Sequence, residues 1–148
     1  MILLDTNVIS EMMRVRPEPS VSTWLDKYPK KELWTASVVF AELLSGIDLM
    51  PTGRKQKALR EAVEEMIAED FRGRIFDFDL RSARHYGQIL ATRRNLGRPI
   101  REFDAQIAAI ASVNGATLAT RDVNDFAACG LTIINPWSYE ASEPHGLK

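Results

Sequence analysis

The chain has 148 residues, 45% of them hydrophobic, with 19 Lys and Arg against 20 Asp and Glu for a net charge of −1. That is one domain's worth of chain with enough length for a full core, and it excludes a bulk polycation that coats nucleic acid or anionic lipid. A single Cys and two His exclude an internal disulfide and leave no basis for a zinc site built from those residues.

Residues 1–4 form a short apolar run, as expected of a strand buried on both faces. The run stops at Asp5, too soon for a signal peptide, and no later stretch approaches the ~18 apolar residues of a membrane span, so the expectation is a cytoplasmic protein. Asp5, Thr6 and Asn7 offer helix caps, and Val8, Ile9 and Met12 follow at helical spacing. Pro17 and Pro19 break the chain, and Ser20 can cap a short helix carrying Val21, Trp24 and Leu25. Leu33–Ala36 reads as a strand, and residues 37–50 as a helix with Phe40, Leu43, Leu44 and Ile47 on one stripe.

After the loop at Pro51, Thr52 and Gly53, residues Leu59, Val63, Met66 and Ile67 mark an amphipathic helix running to Asp70. Its Arg54, Lys55, Lys57 and Arg60 read as a solvated face. Residues 74–78 suit a strand, and Asp79 can cap a helix whose Leu80, Ala83, Gly87, Leu90 and Ala91 line one face. Glu102–Val113 is an alanine-rich helix ended by Asn114 and Gly115. A strand at 116–120, a short helix at 122–128 and a strand at 131–134 complete the domain before Pro136 and Trp137. Short apolar strands alternating with amphipathic helices predict a three-layer α/β/α domain around a parallel sheet of four to five strands. The domain is expected to span residues 1–137, with 138–148 a loosely held tail.

Ligands of such sheets bind outside the carboxyl ends of the strands. Asp5 and Asp122 follow strands, Glu42 lies early in the helix after the second strand and Asp104 in the first turn of the alanine-rich helix. All four are near junctions that a parallel sheet could bring to one edge. Taken singly, Asp5 and Asp122 read equally well as helix caps, and Asp104 as an acid favoured by a helix dipole. Glu42 is harder to dismiss, since Phe40, Ala41, Leu43 and Leu44 surround it. Clustered carboxylates about 4 Å apart repel by ~4 kcal/mol at an effective dielectric near 20, so a cluster needs a cation or shared protons. All-oxygen ligands select Mg²⁺, with Mn²⁺ as the alternative. The arginines Arg93, Arg94, Arg98 and Arg101, just before Asp104, suit an RNA-phosphate rim or a solvated helix end. Cys129 reads as a buried small residue, His85 as structural, and Trp24, Trp34 and Trp137 as core or interface.

The stretches MILLDTNVISE, SVVFAELLSGI, FDAQIAAIA and LATRDVNDF, closed by IINPW, resemble the PIN domain, in particular the VapC/FitB-type toxin ribonucleases of bacterial toxin–antitoxin pairs. The resemblance covers residues 1–137. It implies a Mg²⁺-dependent endoribonuclease with Asp5, Glu42, Asp104 and Asp122 at the acidic positions, Asp5 and Asp104 on the metal, and Thr120 lining the site. Many relatives have Asn at the position of Asp122 and an acid at that of Asp125, whereas this chain has acids at both. The resemblance further implies a VapB/FitA-like antitoxin, a homodimer with contacts near Trp34 or residues 51–60, and operator DNA bound only through the antitoxin. A basic antitoxin side chain reaching Asp5, Asp104 or Asp122 from a groove beside the sheet is expected. The competing expectation is a catalytically weak PIN-fold module acting through a protein partner. A phosphatase on a similar sheet is disfavoured because the first strand ends in Asp-Thr-Asn and lacks a second carboxylate two residues on.

Overall fold

The computed structural model describes residues 1–141. Five strands, β1 (Ile2–Leu4), β2 (Leu33–Ala36), β3 (Ile75–Phe76), β4 (Thr117–Ala119) and β5 (Ile133–Ile134), form one parallel sheet in the order β3-β2-β1-β4-β5. Leu3 is in register with Trp34 on one side and Leu118 on the other, and Ala119 with Ile134. The continuous apolar character of β1 follows from its central place, since both faces of the strand lie under helices and Leu3 and Leu4 are fully buried.

The helices are α1 (Thr6–Met12), α2 (Pro19–Asp26), α3 (Ser37–Asp48), α4 (Arg54–Glu65), α5 (Leu80–Asn95) and α6 (Glu102–Val113). From β1 the chain winds outward to β2 and β3, then returns through α5 and α6 to β4 on the other side of β1. The winding direction therefore reverses between β1 and β4, and a crevice opens at their carboxyl ends. Asp5 and Thr120 are the residues that follow those two strands, and the Asp5 N–H donates to the Ala119 carbonyl at 3.0 Å. The alanines of α6 let that helix lie close in the core: Ala105, Ile107 and residues 108–111 are all fully buried.

Several elements differ from the sequence reading. The third and fifth strands hold only two residues each, and the expected helix at 122–128 is a 3₁₀ turn, Val123–Phe126. Pro19 opens α2 at its first position instead of lying outside it, because its fixed φ suits that position and its missing N–H is not needed there. Ser20 is consequently inside the helix and is no cap. The helix α4 continues into a π-helical turn, Met66–Asp70, which has no sequence signature.

The buried face of α5 is also displaced from the expected one. Ser82, Ile89 and Arg93 are buried, whereas Leu80 is 65% exposed and Ala83, Gly87 and Ala91 face solvent. Asp79 caps the helix by accepting from both the N–H and the hydroxyl of Ser82, which turns Ser82 inward. Ala and Gly bring little apolar area to a face, so they do not fix which side is buried.

Trp24 is buried in the core as expected, whereas Trp34 is only half-buried and stacks on Phe76 at 4.5 Å. Cys129 is buried, and His85 meets the Ser112 hydroxyl at 2.9 Å. The packed chain runs past Trp137, because Tyr139 lies against the core with the Lys27 ammonium 5.5 Å from its ring. The remainder of the expected tail, 142–148, lies outside the described residues. No helix among the described residues is long and apolar enough to cross a membrane.

Candidate active site

The crevice between β1 and β4 holds the acids. Asp5 is only 4% exposed. One carboxylate oxygen accepts from the Thr6 N–H at 2.8 Å, and the other accepts from the Thr120 hydroxyl at 2.7 Å. Asp5 is thus both the cap of α1 and a floor residue of the site. Burial pushes its pKa from 3.8 to about 6, against the pull of those two hydrogen bonds, and the charges of Asp104 and Glu42 add to the rise.

Glu42, on the second turn of α3, is held from two sides: Oε1 accepts from the Thr6 hydroxyl, and Oε2 accepts from Arg101 at 3.1 Å. Arg101 also reaches Asp104 at 3.3 Å, so one guanidinium bridges two carboxylates. The Asp104 pKa is raised, first by burial, with Glu42 and Asp125 adding to it and Arg101 opposing. Asp122 is exposed and accepts from the Asn7 amide at 3.1 Å. The Thr120 hydroxyl joins these groups by donating to Asp5 while accepting from the Asn7 amide and the Asp122 N–H.

A cavity of about 390 Å³ is lined by Asp5, Glu42, Asp104 and Asp122 together with Asn7, Arg101, Arg121 and Trp137. The sheet therefore brings all four acids expected from the sequence to one cavity. Asp125 lies beside Asp104 on a separate small hollow, so of the two acids at the variable position it is Asp122 that faces the main cavity. Among the described residues no three Asp, Glu, His or Cys side chains close on a single point. The donors are oxygens only. That fits an ion such as Mg²⁺, which keeps several of its waters and takes one or two carboxylates.

A model of the PIN domain matches residues 2–130. The chain belongs to the PIN-domain family. It is 45% identical to plasmid stability protein StbB of Pseudomonas syringae pv. tomato over 93% of this chain and 99% of that protein. It is 38% identical to VapC ribonuclease Y4jK of Sinorhizobium fredii, with 93% and 98% covered. Toxin FitB of Neisseria gonorrhoeae is 40% identical, with 93% and 99% covered. Among solved structures, FitAB bound to an IR36 DNA fragment superposes with a TM-score of 0.86 at 38% identity, covering 97% of this chain and all of that one. The VapC/FitB resemblance and the three-layer fold are thus those of the molecule.

Around the PIN site the expected arginine rim is only partly present. Arg93 is 4% exposed, and its guanidinium donates to the carbonyls of Arg98, Asp125 and Ala127 at 2.6, 2.6 and 2.9 Å. It cannot reach RNA, because those loop carbonyls would otherwise be left without a donor. Arg94 and Arg98 are exposed but do not line the cavity, whereas Arg101 does.

Asn7, Arg121 and Trp137 belong to the PIN cavity and were not expected there. Asn7 does carry a local signal, since two residues after Asp5 it lies on the first turn of α1 at the strand end. Trp137 packs in part against the core, as expected, and also lines the cavity with the Arg121 guanidinium 5.3 Å from its ring. Next to the acids, an apolar groove of about 780 Å³ runs between the end of α1, α3 and the start of α4. Met13, Leu43, Ile47, Met50 and Leu59 line it, and it shares Thr6, Ser10 and Glu42 with the acidic cavity.

Proposed function

We propose that this chain is a Mg²⁺-dependent endoribonuclease and the toxin of a type II toxin–antitoxin pair. The observation that carries the reading is the convergence of Asp5, Glu42, Asp104 and Asp122 on one cavity at the strand ends. The names of two relatives, a VapC ribonuclease and toxin FitB, support it. No observation favours a catalytically silent module, since the acidic set is complete.

Asp5 and Asp104 would hold Mg²⁺, or Mn²⁺ in its place, and the bound ion would supply a Lewis acid for the phosphoryl oxygens and a water of lowered pKa. Thr120 and Thr6 fix Asp5, and Thr6 fixes Glu42, so the carboxylates are oriented before substrate arrives. Glu42 and Asp122 remain to orient the attacking water or take its proton. Arg101 and Arg121 both line the cavity, but Arg101 is held by Glu42 and Asp104, which leaves Arg121 as the cation placed to meet an RNA phosphate.

The apolar groove beside the acids suits a VapB/FitA-like antitoxin segment, and the DNA in the FitAB structure supports operator binding through that partner. The reading includes a cytoplasmic site of action and a homodimer; sedimentation showing only monomer at micromolar concentration counts against the dimer. The direct test is cleavage of cellular RNA in Mg²⁺ and in EDTA, with Asp5→Asn as the control. Cleavage is expected only for the wild type in Mg²⁺. Cleavage indifferent to both EDTA and the substitution sinks the proposal, and sequencing of the ends identifies the target RNA.

A further inference from the structure

We propose that Trp137 and Arg121 form a nucleobase subsite on the wall of the acidic cavity, where one unpaired base of the RNA stacks on the indole while the guanidinium meets an adjacent phosphate. The proposal rests on the ribonuclease reading above and adds to it the part of the substrate, other than the phosphodiester, that the site holds.

Trp137 is fixed in a way that presents its ring. The turn Pro136–Ser138 has proline at its first position, Pro136 is buried, and the Asn135 side chain accepts from the Trp137 N–H at 3.0 Å. The backbone is therefore pinned, while the indole is only partly covered and lines the same cavity as Asp5 and Asp122. The indole packs in part against the hydrophobic core, and a flat, exposed guanidinium lies 5.3 Å from its ring. Bases of single-stranded RNA stack on aromatic rings and on guanidinium planes, so the two side chains offer what such a base needs.

The charge pattern separates the two cavity arginines. Arg101 is tied to Glu42 and Asp104, whereas Arg121 makes no salt bridge among the described residues although Asp122 is its neighbour in the chain. Its charge remains available for a phosphate. The cavity, about 390 Å³, has room for one nucleotide, and a base that stacks on the indole must be splayed out of any duplex.

The test uses single-stranded oligoribonucleotides cleaved in Mg²⁺, with wild type, Trp137→Leu, Trp137→Phe and Arg121→Gln, each checked by thermal melting. Trp137→Leu is expected to lower kcat/KM by about tenfold to a hundredfold, mainly through KM, and to relax the base preference beside the cleaved bond. Trp137→Phe retains most of both. Arg121→Gln raises KM and flattens its dependence on salt. A folded Trp137→Leu with wild-type KM and the wild-type cleavage pattern overturns the subsite. Should that variant melt too low to use, Arg121→Gln with unchanged KM and salt slope overturns it alone. A wild type that cleaves no RNA removes the ribonuclease reading and the subsite with it, an outcome distinct from a cleaving wild type matched by its variants.

Discussion

Asp5 carries the sharpest consequence of burying a carboxyl group. Its pKa is about 6 in the folded chain against an ordinary 3.8. Between those values the native state holds a proton that the unfolded chain has released, so stability falls as pH rises through this window and levels off above it. The loss amounts to about 3 kcal/mol for this one group. Asp104 moves in the same direction, and Asp79, whose pKa is lowered by the Ser82 hydrogen bonds, acts in the window below 3.8 and does not mask the effect. In EDTA the melting temperature should therefore decline between pH 4.5 and 6.5, and Asp5→Asn should flatten that decline. Saturating Mg²⁺ should raise melting most above pH 6, where Asp5 is ionised and can hold a cation. A pH-independent melting temperature in EDTA would contradict the buried-acid account.

At the scale of elements, α5 separates what patterning reveals from what it does not. Its cap is legible because Asp79 stands before a helical run, but its inward face is not, because Ala and Gly mark no side of a helix and Arg93 suits an RNA rim or a solvated helix end. Ile89→Ala should cost about 2–5 kcal/mol in denaturant unfolding, while Leu80→Ala, on the exposed face, should stay within about 0.5 kcal/mol. Arg93→Ala should cost about 3 kcal/mol by leaving loop carbonyls without a donor, whereas Arg94→Ala and Arg98→Ala should have little effect on stability. The strands are legible as brief apolar runs, and their carboxyl ends locate Asp5 and Asp122, while Glu42 and Asp104 are placed by the early turns of their helices. Arg121 stands at the carboxyl end of β4 beside Asp122 and is within reach of the same reasoning, whereas the place of Trp137 depends on a turn after β5 meeting a cavity built mainly by α1, α3 and α6. The partnership of Asn7 with Thr120 and Asp122 likewise spans more than a hundred residues of chain.

Viewed whole, the molecule has two adjoining surfaces of opposite character, an acidic cavity and an apolar groove, which meet at Thr6, Ser10 and Glu42. Val15, 98% exposed, extends the apolar side, and Arg14 and Arg16 stand on its rim. A partner that fills both surfaces gains apolar burial in the groove and an ion pair in the cavity, but its basic side chain must then take the place of the cation that Asp5 and Asp104 would hold. Inhibition and metal binding are consequently coupled: each should weaken the other by the same factor. For a cognate antitoxin segment carrying an Arg or Lys, raising Mg²⁺ from micromolar to millimolar should raise the apparent Kd, measured by titration calorimetry. Replacing that basic residue by Ala should abolish the Mg²⁺ dependence while leaving part of the affinity, because the groove contacts survive. Leu43→Asp in the groove should do the reverse, weakening the segment at every Mg²⁺ concentration while the competition persists. An affinity indifferent to Mg²⁺ in the unaltered pair would place the partner wholly in the groove and rule out a side chain in the acidic cavity.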